Sequence, residues 1–181
     1  MALDIQNSIQ NACNALRENK VILIPCEIGW TLACDAQSRD AVKEMLGMIP
    51  EEEQDAPTLL IDDDRKLNRY FKSIPEVAWD LLETAMKPLT FVFEESMNIS
   101  PELQGEKQSI GVRISKHGYV QALGKKYGKA IAGLELYELS KDEKAALEAR
   151  LEFVYAGEVD DFEMDSIDVI GIRPNGQVTV Y

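Results

Sequence analysis

The sequence predicts an α/β fold in which helices cover a mixed sheet. Three observations predict it. Short runs of branched apolar residues alternate with segments of helical spacing through the first half of the chain. The final stretch, Asp168 to Tyr181, holds an Asn-Gly turn signal between two strand-like runs, which adds an antiparallel hairpin. At 181 residues the chain suits one domain, 1–181, able to bury roughly 70% of its unfolded surface.

The elements come in this order. Leu3 to Arg17 places Ile5, Ile9, Ala12, Cys13 and Leu16 at helical spacing, with Asp4 near the start. Val21 to Ile24 is a strand that runs into a polar turn. Ser38 to Met48 is a helix with Ser38 as N-cap and Ala41, Val42, Met45 and Leu46 on one face. Pro57 to Ile61 is a buried strand. Asp64 to Phe71 and Pro75 to Ala85 are helices, Pro75 suiting a first turn. Leu89 to Phe93 and Ile110 to Ile114 are strands, His117 to Leu123 a short helix, and Lys129 to Gly133 a strand. Ser140 to Arg150 is a helix with a capping box, Ser140 with Glu143. Phe153 to Tyr155 is extended, and the closing hairpin turns at Arg173-Pro-Asn-Gly176.

Composition excludes several classes. No apolar run approaches the ~20 residues of a membrane span, and the start, MALDIQNSIQ, lacks the basic and apolar blocks of a signal peptide. A cytoplasmic protein with no membrane association is expected. Three cysteines, Cys13, Cys26 and Cys34, have no disulfide spacing, and one histidine leaves few zinc ligands, so no metal is expected. The formal charge of −13 opposes broad nucleic-acid affinity. That charge is uneven. Glu51 to Asp64 and Glu152 to Asp168 are acidic, whereas Lys107 to Leu134 carries bases and no acid. Lys107, Lys116, Lys125, Lys126 and Lys129 are therefore the RNA-binding candidates, against the alternative of a solvated basic face.

The stretch NKVILIPCEIGWTLACDA, residues 19–36, runs a strand into a turn loaded with Cys26, Glu27 and Trp30. Open sheets place ligands at such strand ends. Here the chain resembles the YrdC-like family, the threonylcarbamoyl-AMP synthases, whose first strand is followed by P-T-(D/E)-T-x-Y-G-L-x-C-D-A. Pro25, Glu27 and Leu32-Ala33-Cys34-Asp35-Ala36 stand where that pattern puts them. Ala41-Val42, Pro57-Thr-Leu-Leu-Ile61, Pro88-Leu89-Thr90-Phe-Val92, Gly111-Val112-Arg113 and Ser166-Ile167 echo later family motifs in order. The resemblance implies a YrdC-like fold: a twisted mixed parallel/antiparallel sheet flanked by helices, around a positive concavity. It also implies synthesis of threonylcarbamoyl-adenylate from L-threonine, bicarbonate and ATP with Mg, in tRNA modification. Double-stranded RNA binding has been ascribed to some members.

The chain departs from the family where charge must be handled. The Lys-x-Arg pair is replaced by Ile49 and Glu51, removing two positive charges and adding a negative one. A contact pair of unit charges is worth ~4 kcal/mol at a surface-like dielectric, so this reversal opposes a triphosphate. A Ser-x-Asn pair after a late strand falls on Leu134 and Leu136; threonines of the opening turn become Cys26 and Ile28, and tyrosine becomes Trp30. A family arginine past the last strand has no counterpart, since the sequence stops at Tyr181. The expected outcome is a divergent member with impaired or lost synthase activity that still binds an anion, nucleotide or RNA. The alternatives are an active synthase with replacement cations (Lys43, Lys87 or Lys116), and an RNA- or protein-binding module.

Arg113, Glu27, Thr90, Cys26, Trp30 and Ser166 are the candidate substrate- or anion-binding residues. A guanidinium at Arg113 can grip a carboxylate or phosphate by two hydrogen bonds, or simply pair with an acid of the chain. Glu27 either orients the turn or makes a structural hydrogen bond. Cys26 as nucleophile would need an adjacent base and a lowered pKa. Trp30 either stacks a base or serves as a core or lid aromatic.

Overall fold

The computed structural model describes residues 2–136, 139–157 and 166–181. Its strands are β1 (Ile22–Pro25), β2 (Trp30–Asp35), β3 (Thr58–Ile61), β4 (Thr90–Phe93), β5 (Ile110–Ile114), β6 (Ile131–Leu136), β7 (Phe153–Val154), β8 (Val169–Ile172) and β9 (Val178–Val180). They form one sheet in the order β7-β1-β2-β6-β3-β5-β4-β8-β9. The pairs β1–β7, β3–β5 and β4–β8 are parallel and the others antiparallel, so the sheet is mixed as the sequence predicts. The helices are α1 (Ala2–Arg17), α2 (Arg39–Leu46), α3 (Leu67–Tyr70), α4 (Glu76–Thr84), α5 (Gly118–Tyr127) and α6 (Lys141–Glu148). Among the described residues no helix is long and apolar enough to cross a membrane.

Directly paired residues share a face of the sheet, which sorts the side chains into two layers. Leu23, Leu32, Leu134, Leu59, Val112 and Phe91 point to one face and are buried with residues of α2, α3 and α4. Ile22, Ile24, Ala33, Ile131 and Leu60 point to the other, beneath Ile9, Ala12 and Leu16 of α1 and Val120 and Leu123 of α5. That second face continues past the helices as Thr58, Gly111, Arg113, Thr90 and Glu135, which floor a cleft.

The sheet coils strongly. β1 and β5 are four strands apart in the order, about 19 Å in a flat sheet. Yet Glu27, in the β1–β2 turn, accepts hydrogen bonds from Ser115 and Lys116 just past β5. The coil bends the second face into the concavity.

Local signals behave as expected at the caps. Ser38 Oγ accepts from the Ala41 N–H, and Ser140 with Glu143 forms the capping box. Gly176 takes φ 82°, the left-handed turn position of the β8–β9 hairpin. Three expectations change. Trp30, expected in the polar turn, begins strand β2, and residues 30–35, which carried no strand expectation, lie between β1 and β6. The 129–133 strand continues to Leu136. The segment 64–71 is a 3₁₀ turn, Asp64–Lys66, followed by the short α3.

Candidate functional site

The cleft on the second face has a volume of about 530 Å³. The strands β3, β4, β5 and β6 give it its floor, and the segments 54–57 and 102–105 give it a wall. Gly111 keeps the floor low: a Cβ there would stand 3.2 Å from Thr90 Cγ2 and 3.4 Å from Thr58 Oγ1.

Arg113 lies at the base with no exposed side-chain surface. Its Nη2 donates to Glu135, and its Nε stands 3.8 Å from Glu27 Oε2. Two carboxylates thus share one guanidinium. Arg113 Nε and Nη1 have no hydrogen-bond partner among the described residues.

Glu27 is the organiser of the turn. Its Oε1 accepts from Ser115 Oγ at 2.7 Å, the Lys116 N–H at 2.8 Å and the His117 N–H at 3.4 Å, and its Oε2 accepts from the Cys26 thiol at 2.6 Å. Burial pushes this carboxyl up, but Arg113 and the hydrogen bonds from Cys26 and Ser115 together hold it below the usual range. It is an anion fixed in place. Burial, then the Glu27 charge, push the Cys26 thiol well up, so Cys26 is a protonated donor at neutral pH and no nucleophile. Cys34 is buried in the opposite core.

The structure brings Cys26, Glu27, Arg113 and Thr90 to this side of the sheet. Trp30 is elsewhere: it packs against the opposite core and lies under Lys144 Nζ of α6, 4.0 Å from the ring centroid. Ser166 is exposed, beside Ile167, which lines the cleft. The lysines of the basic segment disperse. Lys107 precedes β5 and pairs with Glu94 at 3.4 Å; Lys116 follows β5 and donates to the Ala85 carbonyl at 2.9 Å. Lys125 and Lys126 are exposed in the last turn of α5, and Lys129 reaches Asp35 at 3.2 Å.

Glu135 is the residue sequence reasoning missed. The 134–136 segment reads in sequence as a lost Ser-x-Asn pair. In the strand, Leu134 and Leu136 turn into the opposite core, and the period of two sends Glu135 to the cleft. Its signal was a lone acid between two leucines. Among the described residues lining the cleft, the acids are Asp55, Glu102 and Glu135, and the base is Arg113. Ile49 packs against the core, Glu51 is exposed, and the Gln54 amide ties their loop to the Leu46 and Ile49 carbonyls. The replacement cations do not line the cleft: Lys87 and Lys116 line a separate recess with Asp62, Asp63 and Asp64, and Lys43 stands 3.8 Å from Glu102. No group of three or more metal-ligating side chains is placed to hold an ion among the described residues.

Comparison with known proteins agrees with this geometry. The family model Sua5/YciO/YrdC, described as "Telomere recombination", matches residues 14–134. The threonylcarbamoyl-AMP synthase of Halorhodospira halophila is 27% identical over 124 residues, which are 68% of this chain and 65% of that protein. This chain therefore spans slightly under two thirds of that relative's length. E. coli YciO superposes with a TM-score of 0.79 at 22% identity, over 97% of this chain and 88% of that one. P. abyssi Sua5 complexed with L-threonine superposes with a TM-score of 0.75 at 22% identity, over 91% of this chain and 50% of that one. The protein whose coiled sheet carries this cleft belongs to the Sua5/YciO/YrdC family.

Proposed function

We propose that this chain is a small-molecule-binding YrdC-like domain, related to threonylcarbamoyladenosine biosynthesis, whose adenylate-forming step is impaired or lost. The observation that carries this is the charge of the cleft. Its one lining base among the described residues, Arg113, is already held between Glu27 and Glu135, and three acids share the walls. A triphosphate brings several negative charges, each of which needs a cation or N–H donor close by. Ile49 and Glu51 supply neither a cation nor a donor side chain at the place where family members carry Lys-x-Arg. An intact shell with a stripped phosphate end supports binding of a small polar molecule without nucleotide turnover. The L-threonine bound by the P. abyssi relative supports a site of amino-acid size.

The dispersal of Lys107, Lys116, Lys125, Lys126 and Lys129 weighs against RNA as the ligand, since counterion release needs the bases on one track. The test of the main reading is an assay with L-threonine, bicarbonate and ATP with magnesium, monitoring adenylate and pyrophosphate. The expected result is no product above the protein-free control. Threonylcarbamoyl-adenylate made at a steady rate, lost on Arg113→Met, would overturn it.

A further inference from the structure

The sheet ends differently at its two edges. β7 is two residues long and half-buried, and Glu152 just before it pairs with Lys20 at the surface. Short edges flanked by charge resist pairing with another chain. β9, at the other end of the strand order, has no such guard. All its residues are exposed, and positions 174–181 carry no charged side chain in a protein whose net charge is −13. Val178, Val180 and Tyr181 are three of the five large apolar side chains exposed among the described residues, so apolar exposure concentrates on this edge.

The β8–β9 ladder decides which backbone groups face outward. The Arg173 N–H donates to the Gln177 carbonyl and the Tyr181 N–H to the Val169 carbonyl, both at 3.0 Å. Antiparallel ladders alternate, so Gln177, Thr179 and Tyr181 turn their backbone groups to β8. The N–H and C=O groups of Val178 and Val180 point away from β8, along the open edge. Side chains alternate as well. Val178 and Val180 share the face of Ile172 and Ile170, whereas Gln177, Thr179 and Tyr181 lie on the face of the cleft. On that face the Arg173 guanidinium leans over β9, its Nη1 donating to Gln177 Oε1 at 3.2 Å, and Arg173, Thr179 and Tyr181 line a recess of about 260 Å³.

We propose that β9 pairs antiparallel with β9 of a second copy of this chain, about a two-fold axis at Thr179. The register is self-complementary. Each Val178 lies opposite the partner's Val180, the pair exchanging both backbone hydrogen bonds, and the two Thr179 side chains meet at the axis. β-branched residues directly opposite one another favour such a ladder. Gln177 falls opposite the partner's Tyr181, which carries the guanidinium leaning over Gln177 toward the partner's tyrosine ring, a cation–π contact repeated at both ends of the ladder. Charge selects this edge for a second copy. Two chains of −13 repel, and along 174–181 they approach without setting acid against acid. The two sheets then become one continuous sheet.

The test is sedimentation velocity of the full chain from about 1 to about 100 μM. The expected result is a concentration-dependent shift from monomer to dimer, with no larger species, because the two-fold axis closes the assembly. Val178→Lys/Val180→Lys sets lysine opposite lysine and should weaken dimerisation at least about tenfold, as should Val178→Glu/Val180→Glu. Both positions are exposed, and circular dichroism checks the fold. Mixing the lysine and glutamate variants should restore a dimer with one copy of each, which misfolded chains could not do. Thr179→Cys should form a disulfide-linked dimer on mild oxidation, since Cα atoms of a directly opposed, non-hydrogen-bonded pair stand about 4.5 Å apart. The native Cys13, Cys26 and Cys34 are buried and do not compete. A monomer throughout the range would leave the edge to a strand of some other protein and overturn the proposal. So would a dimer indifferent to the lysines, charge-swapped variants that fail to pair, or a Thr179→Cys dimer that does not cross-link.

Discussion

The β2–β6 ladder carries a buried acid at one end and a half-buried one at the other, and the two are held differently. At one end Asp35 takes the Tyr127 hydroxyl at 2.6 Å, the Gln37 N–H at 2.8 Å and the Lys129 ammonium at 3.2 Å. One carboxylate has three donors, one of them a cation that reaches in from solvent. At the other end Glu135 shares the guanidinium of Arg113 with Glu27, and the Nε and Nη1 nitrogens have no hydrogen-bond acceptor among the described residues. The first arrangement is complete within the protein. The second leaves donors of a buried guanidinium without an acceptor among the described residues. Satisfied buried networks hold a fold, and unsatisfied ones point to ligands or strain.

Removing Arg113 should break this contrast most severely. Arg113→Met leaves Glu27 facing Glu135 without a cation, and loss of one member of a buried pair costs about 3–5 kcal/mol. Urea denaturation should read that loss as a lowered midpoint with an unchanged slope. Tyr127→Phe is the matched change at the other end. It removes one hydrogen bond to a charged acceptor, worth about 1.5–3 kcal/mol, but Asp35 keeps Gln37 and Lys129, so about 1–2 kcal/mol is expected. Equal losses for the two variants would mean that the Arg113 end is no more dependent on its charge than the Asp35 end.

How much of this contrast the sequence shows depends on periodicity. The peripheral helices and the hairpin were legible, because Ser38, Ser140 with Glu143, and Asn175-Gly176 are local signals that need no tertiary context. Strand β2 was not. It is covered on both faces, so Leu32, Ala33 and Cys34 show no alternation, and Thr31 and Asp35 look like turn residues although both are buried. Arg113, Glu27 and Cys26 were legible as site candidates through the family pattern, but their mutual contacts were not. Glu27 meets Ser115 across 88 positions, and Arg113 meets Glu135 across 22. Those separations are closed only by the coil of the sheet.

The two ends should also fail at opposite extremes of pH. The Glu27 carboxyl is held below its unfolded value of about 4.3. Its contribution is therefore full above that value and lost as pH falls through the depressed folded value. Burial, then the hydrogen bond to Asp35, raise the Tyr127 phenol well above its usual value of about 10. The unfolded chain then ionises first, so that contribution is full below pH ~10 and lost as pH rises past it. Urea midpoints measured across the range should show Glu27→Gln flattening the acid limb and Tyr127→Phe flattening part of the alkaline one. Tyr119, raised to about 12 by burial despite the Ser8 hydrogen bond, keeps the rest of the alkaline limb in place.

The smallest effect expected separates the two faces at the Glu135 end. Trp30 pairs with Leu136 beside Glu135 but packs on the opposite face, where Lys144 of α6 covers its ring. An ammonium over indole at a partly exposed site is worth about 0.5–1 kcal/mol. Lys144→Ala should cost no more than that and should shift Trp30 emission as water reaches the ring. Its effect should add to that of Arg113→Met, because the sheet separates the two contacts and distant, unshared interactions are additive within about 0.5 kcal/mol. A larger departure would show that α6 and the Arg113 floor move as one unit, coupling α6 to whatever the cleft holds.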